Sequence, residues 1–189
     1  MPRQKIDLQE KYNLMSEYEK QAQEQGIRLI AGMDEAGRGP LAGPVVAAAV
    51  ILDPEKPILG VDDSKKLSPK KRAALKLEIE EKAIAIGVGI VDVATIDEIN
   101  ILEATKLAMK KAVTALDPQP QQLLIAAVQL KDLPIPQQPI IKGDALSVSI
   151  AAASIIPLPN RLFFNEISLY LRSMAYLSVK YMPQSPNLC

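Results

Sequence analysis

Two adjacent acids, Asp34 and Glu35, and the glycine-rich stretch behind them are the residues of this sequence best placed to do chemistry. They follow an apolar run, Ile27 to Met33, and precede Gly37, Arg38, Gly39 and Gly43 before a second apolar run, Val45 to Leu52. Apolar runs of this length, bounded by Gly and Pro, read as buried strands. The acids therefore sit where a strand gives way to a turn, beside glycines that let a ligand or another backbone come close. That combination suits a divalent cation and a phosphate. The same spacing also fits an exposed acidic hairpin turn.

Elimination narrows the chemistry further. The 189 residues contain no histidine, which excludes Ser-His and Cys-His catalysis, His-ligated metals and an imidazole base. The single cysteine, Cys189, excludes an internal disulfide and a Cys-based zinc site. Lys plus Arg and Asp plus Glu both number 22, so no global positive field attracts a polyanion. Local clusters must do that work. The densest is Lys65, Lys66, Lys70, Lys71 and Arg72, five basic side chains within VDDSKKLSPKKR. Lys70 to Arg72 would oppose the dipole of a helix starting at Ser68-Pro69, a hint that Lys65, Lys66 and their neighbours serve an anion. A solvated charge run reads equally well. Asp62 and Asp63 would simply order it.

The elements that must position these groups follow from periodicity and capping. Ser16 and Glu19 have capping-box spacing ahead of a lead helix ending at Gly26, with Leu8, Tyr12, Met15 and Tyr18 as its packing side. The two apolar runs around the acids form an antiparallel pair. A helix from Ser68 to about Lys82, a strand within Ala83 to Val93 and a second capping box, Thr95 and Glu98, come next. That box opens a long helix to about Leu116, with Ile99, Leu102, Met109, Val113 and Leu116 on one side. Asp97 and Glu98 read as cap and first-turn acids. Nine of the fifteen prolines lie beyond Asp117, so this half breaks into short pieces. Leu123 to Val128 reads as a buried strand and Pro139 to Lys142 as an extended segment. Asp144 or Ser147 caps an Ala/Ser-rich helix ending near Ile156. Asp144 otherwise reads as a turn residue beside the site. No uncharged run reaches the ~18 residues that span a bilayer, and the N-terminus lacks a signal-peptide core. A cytoplasmic protein with an α/β mixed sheet flanked by helices is the expectation.

With these residues laid out, the chain resembles the ribonuclease HII family of prokaryotic type 2 ribonucleases H. The matching text runs from YEKQAQEQGIRLIAGMDEAGRGPLAGPVVAAAVIL through DSKKLSPKKR and IDEINILEATKLAMKKAV to IIKGDALSVSIAAASII, roughly residues 17–156. The Asp-Glu-Ala-Gly-Arg-Gly block is specific to that family. The resemblance implies a ribonuclease-H-like sheet and a division into a lead helix (1–26), an incomplete catalytic domain (27–156) and a divergent tail (157–189). It implies an endonuclease that cuts the RNA strand of RNA–DNA hybrids and nicks ribonucleotide-containing duplex DNA. Such enzymes use Mn2+ or Mg2+ on four carboxylates, leave 5′-phosphomonoesters, and the expected state is a monomer. Carried over by motif, Asp34 and Glu35 are the first two ligands. Gly37, Arg38 and Gly39 read the 2′-OH and adjoining phosphate, and Lys65, Lys66 and Lys142 contact phosphates.

The resemblance also exposes two losses. The third family acid, from a strand reading Leu-Val-Asp-Gly, falls on Ala126 of LLIAA. The fourth, after Ala-Ala-Ala-Ser-Ile-Ile-Ala-Lys-Val-x-Arg-Asp, falls on Leu162, with Glu166 the only acid in 157–189. The family's later Gly-Tyr-Gly segment has no counterpart. Two dications ~3.5–4 Å apart need balancing charge. Asp34 and Glu35 supply half of what four carboxylates would. Impaired cleavage is therefore expected, with a non-catalytic hybrid-binding homologue as the alternative. A nucleotide cradle is the weakest reading, because Gly37, Gly39 and Gly43 do not match dinucleotide spacing and a strand follows them.

Overall fold

A computed structural model describes residues 7–36, 43–126 and 129–156. Its centre is β2 (Val45–Ile51), whose seven residues are all buried. A continuous apolar run suits a strand covered on both faces, and β2 is one. It pairs antiparallel with β1 (Ile30–Ala36) on one side and β3 (Ala85–Val91) on the other. Beyond β1 lie β4 (Gln122–Ile125) and β5 (Gln137–Pro139), both parallel, giving the order β3-β2-β1-β4-β5. The mixed α/β sheet expected from the sequence is the one observed.

Strand alternation divides β1 into two faces. Ala31 and Met33 pack with Ala104, Ala108 and Met109 of α4 (Val93–Thr114). Ile30 packs on the other side with Ile150 of α5 (Val148–Ile155). On that side α5 also joins Leu75 and Ile79 of α3 (Pro69–Lys82) in a second cluster against Ala48 and Val50. Close approach is built in. A Cβ on Gly32 would lie 2.1 Å from the Ser149 carbonyl carbon, so only glycine admits α5 at this distance from the strand.

Several elements are set by local capping. Ser68 accepts from the Lys71 amide at 3.3 Å with Pro69 at the first helical position, as the sequence predicts for α3. Ser147 caps α5, accepting from the Ile150 amide at 3.2 Å. Asp144 instead lies in the 3-10 turn Gly143–Ala145.

Four expectations need correction. The helix expected over 16–26 is present as α2 (Glu17–Glu24), preceded by a separate α1 (Leu8–Met15), but Ser16 makes no capping bond to an amide. Its hydroxyl donates to the Tyr12 carbonyl, while Glu19 accepts from the Ser147 hydroxyl and the Ser149 amide. The expected capping partner instead caps a distant helix. Thr95 is not the cap of α4 either: Asp92 is, accepting from the Thr95 amide at 2.8 Å. Nor is α4 one uninterrupted helix. Asn100 takes φ 69°, ψ 165°, and its side chain accepts from the Leu102 and Glu103 amides, starting the helix afresh. That break rotates Leu102 out of the core to 43% exposure, while Met109, Val113 and Leu116 stay inside. Finally, the acids lie within β1, not in the turn after it, because the antiparallel register continues to Ala36↔Val46.

Candidate active site

Asp34 and Glu35 occupy the C-terminal half of β1 and pair with Ala48 and Ala47. As neighbours on a strand they face opposite sides of the sheet. Asp34 shares the Gly32 face under α5, and Glu35 shares the Met33 face under α4. The methyl groups of Ala47 and Ala48 leave room beside both.

Asp34 is strongly perturbed. Burial pushes its carboxyl up to about 7, reinforced by the charge of Glu35. A hydrogen bond from the Glu35 backbone pulls it down, Asp144 pushes it up, and Lys65 lowers it. Desolvation plus like charge is the usual signature of a carboxyl placed for function. A carboxyl poised near neutrality can hold or release a proton under physiological conditions.

The topology brings other expected residues to the same end of the sheet. β1, β4 and β5 run parallel, so their C-terminal ends lie together. Met33 pairs with Ile125, and the Ala126 amide donates to the Met33 carbonyl at 3.3 Å. Ala126 therefore stands beside Asp34 on the neighbouring strand, with its methyl packed near Ile30, Leu124 and Ile150 on the α5 face. Lys142 follows β5 in the left-handed region, φ 58°, and is exposed. Asp144 comes two residues later, half-buried. The sequence marked it only as a cap or turn residue near the site. Its charge reaches Asp34 because the 3-10 turn stacks Gly143 against Ile150, a fold-level arrangement with no local signature.

Lys65 and Lys66 lie on the 3-10 turn Ser64–Lys66 and are both exposed. Lys66 is 3.9 Å from Asp62 and 3.8 Å from Asp63. The Lys65 ammonium makes no ion pair among the described residues, yet its charge reaches Asp34. Gly37, Arg38 and Gly39 lie outside the described residues, as do Leu162 and Glu166.

Among the described residues, no group of three or more His, Cys, Asp or Glu side chains could hold a metal ion. Asp34 and Glu35 on opposite faces, with a methyl at position 126, do not fit a two-ion carboxylate centre. They resemble at most the one- or two-carboxylate arrangement of a hydrated Mg2+ completed by water and substrate oxygens. Nor is any helix among these residues long and apolar enough to cross a membrane.

Comparison with known proteins gives concordant matches. The family model described as Ribonuclease HII matches residues 31–177. The ribonuclease HII of Geobacillus kaustophilus is 56% identical over 149 residues, 79% of this chain and 57% of the relative. That of Enterococcus faecalis is 61% identical over 142 residues, 75% of this chain and 55% of the relative. The chain thus spans little more than half the length of the curated relatives it matches. The ribonuclease H2 of Pyrococcus horikoshii superposes with a TM-score of 0.59 at 32% identity, covering 67% of this chain and 69% of that one. A Bst ribonuclease HIII solved in complex with Mn2+ superposes at 0.55 with 27% identity, covering 71% of this chain and 52% of that one.

Proposed function

Because the chain belongs to the ribonuclease HII family, we propose that it recognises RNA–DNA hybrids and ribonucleotides embedded in duplex DNA, and hydrolyses the RNA-side phosphodiester slowly at best. In this reading the family's core is the segment 27–156, behind a lead segment 1–26 and ahead of a tail 157–189 that diverges in its motifs although the family match runs on to residue 177. The chain works as a cytoplasmic monomer. Gly37, Arg38 and Gly39 approach the ribose 2′-OH and its phosphate. Lys65, Lys66 and Lys142 contact flanking phosphates, and any cleavage leaves a 5′-phosphomonoester.

The observation that carries this reading is the β1–β4 register. It sets Ala126 beside Asp34, where a third carboxylate would complete an ion site. An alanine there keeps the fold and removes the ligand. Lys65, exposed and without an ion-pair partner among the described residues, supports the phosphate contacts. One Mn2+ or Mg2+ on Asp34, completed by water and substrate oxygens, would supply Lewis-acid chemistry when bound; the described residues offer no carboxylate set for a two-ion clamp.

The test is nicking of a duplex carrying one ribonucleotide, in Mn2+, by the parent chain, Asp34→Asn and Ala126→Asp. Slow nicking by the parent, abolished by Asp34→Asn and raised at least tenfold by Ala126→Asp, is the expected pattern. A second reading, binding without turnover, is favoured by the same alanine. Selective binding of the ribonucleotide duplex, with no cleavage by the parent at any enzyme concentration, would select it. Equal affinity for plain DNA would sink both.

A further inference from the structure

The basic run at 65–72 contains three cations that the proposed phosphate contacts do not use, Lys70, Lys71 and Arg72, and the last of them is committed to the backbone. Arg72, in the first turn of α3, is half-buried and folds back along its own helix. Its Nη1 donates to the Ser64 carbonyl at 3.0 Å and the Leu67 carbonyl at 2.8 Å. Those two carbonyls bracket Lys65 and Lys66. From the other side, Asp63 Oδ1 accepts from the Lys65 amide at 3.0 Å, and the Lys66 amide donates to the Asp63 carbonyl at 2.9 Å. Ser64 and Leu67 are buried, and Leu67 packs with the cluster of α3 and α5. A three-residue 3-10 turn has few bonds of its own and owes its shape to such outside contacts.

We propose that Arg72, with Asp63, is a positioning residue: the two clamp the Ser64–Lys66 turn so that Lys65 is presented, unpaired, to a substrate phosphate beside Asp34. In this proposal Arg72 acts through the turn and not on the phosphate, its Nη1 being committed to the two carbonyls. This accounts for one of the three cations in the first turn of α3, since Arg72 satisfies carbonyls just upstream. A long exposed lysine on a fixed turn loses less freedom on binding than one on a loose loop. The proposal rests on the reading of Lys65 as a phosphate contact.

The experiment measures the salt dependence of binding to a ribonucleotide-containing duplex in EDTA, for the parent, Lys65→Ala, Arg72→Met and the double variant. Removing one phosphate contact lowers the slope of log K against log salt by about one. Lys65→Ala and Arg72→Met should each lower it by about one, and the double variant by no more than either. Slopes that add to about two would make Arg72 an independent phosphate contact and overturn the proposal, as would an unchanged slope in Arg72→Met. If the parent binds without salt dependence, or Lys65→Ala changes nothing, the functional reading fails first. If Arg72→Met does not fold, Asp63→Ala decides. Loss of a carboxylate should by charge alone tighten binding, whereas loss of the clamp should weaken it and erase the effect of adding Lys65→Ala. Tighter binding by Asp63→Ala would refute the clamp.

Discussion

Replacing Asp34 by asparagine should stabilise the fold, and do so more at pH 8 than at pH 5. The folded chain holds the Asp34 proton far more tightly than the unfolded chain, from 3.8 up to about 7. Stability contributed by the neutral form is complete below pH 4 and is lost as pH rises through about 7. Above that, an ionised carboxylate sits against Glu35 in a poorly solvated place. A displacement of roughly three units corresponds to at most ~4 kcal/mol. Asp34 is only half-buried, so solvent screening brings this nearer ~2 kcal/mol. About a third of it is already felt at pH 5. Asp34→Asn should then raise Tm by ~4–8 °C at pH 8 and by only ~1–3 °C at pH 5. Thermal or urea unfolding in EDTA, with parent and variant matched at each pH, reads the difference directly. A difference constant from pH 5 to pH 8, or a variant less stable at pH 8, would refute the electrostatic account of this site. Adding Mn2+ should shrink the pH 8 gap if an ion uses Asp34.

Other perturbations test the frame around it. Gly32→Ala drives a methyl into the Ser149 backbone at 2.1 Å and should destabilise by ~3 kcal/mol or more, seen as a lower urea midpoint. Glu19→Ala strips the Ser147 hydroxyl and Ser149 amide of their shared acceptor, costing ~2–3 kcal/mol by the same assay. Asn100→Ala keeps a strained backbone and loses the cap, costing ~2 kcal/mol, whereas Asn100→Gly relieves the strain and should fall within ~1 kcal/mol of the parent. Alanine and glycine behaving alike there would show that φ 69° carries no strain.

What the sequence revealed was local. Ser68-Pro69 starts α3 and Ser147 starts α5 because a cap needs only residues within one turn. The apolar runs 27–33 and 45–52 form an antiparallel pair because few residues separate them. The parallel β4 was readable as a strand but not as a neighbour of β1, since pairing across some ninety residues has no local signal. Glu19 shows the limit best. Its spacing from Ser16 promised a capping box, yet its partners are 128 and 130 residues away. Likewise Asn100 sits inside an unbroken apolar period, and nothing in that period announces a positive φ. For the site, Asp34 and Glu35 were legible from type and spacing. The influence of Asp144 and the clamp by Arg72 depend on how turns stack, and only the fold displays them.

Charge balance offers a last test of what Ala126 does. In a metal-bound site an acid at 126 adds a ligand. In a metal-free site it adds only a negative charge beside Asp34, facing an incoming phosphate. At ~5 Å and an effective dielectric near 20, one such charge opposes a phosphate by ~3 kcal/mol before screening, and by ~1–2 kcal/mol once water and salt intervene. The raised pKa of Asp34 works partly in the same direction as the alanine, because the fraction still protonated around pH 7 does not repel the phosphate either. Under the proposed function, duplex binding by this residue set therefore runs through Lys65 and its neighbours without needing an ion. Ala126→Asp should weaken duplex binding in EDTA by about tenfold and restore it on adding Mn2+, while the parent stays nearly indifferent to the ion. Fluorescence anisotropy with a ribonucleotide-containing duplex measures both. If the parent instead depends on Mn2+ as strongly as Ala126→Asp does, the parent already holds an ion well enough, and the argument from the missing carboxylate fails.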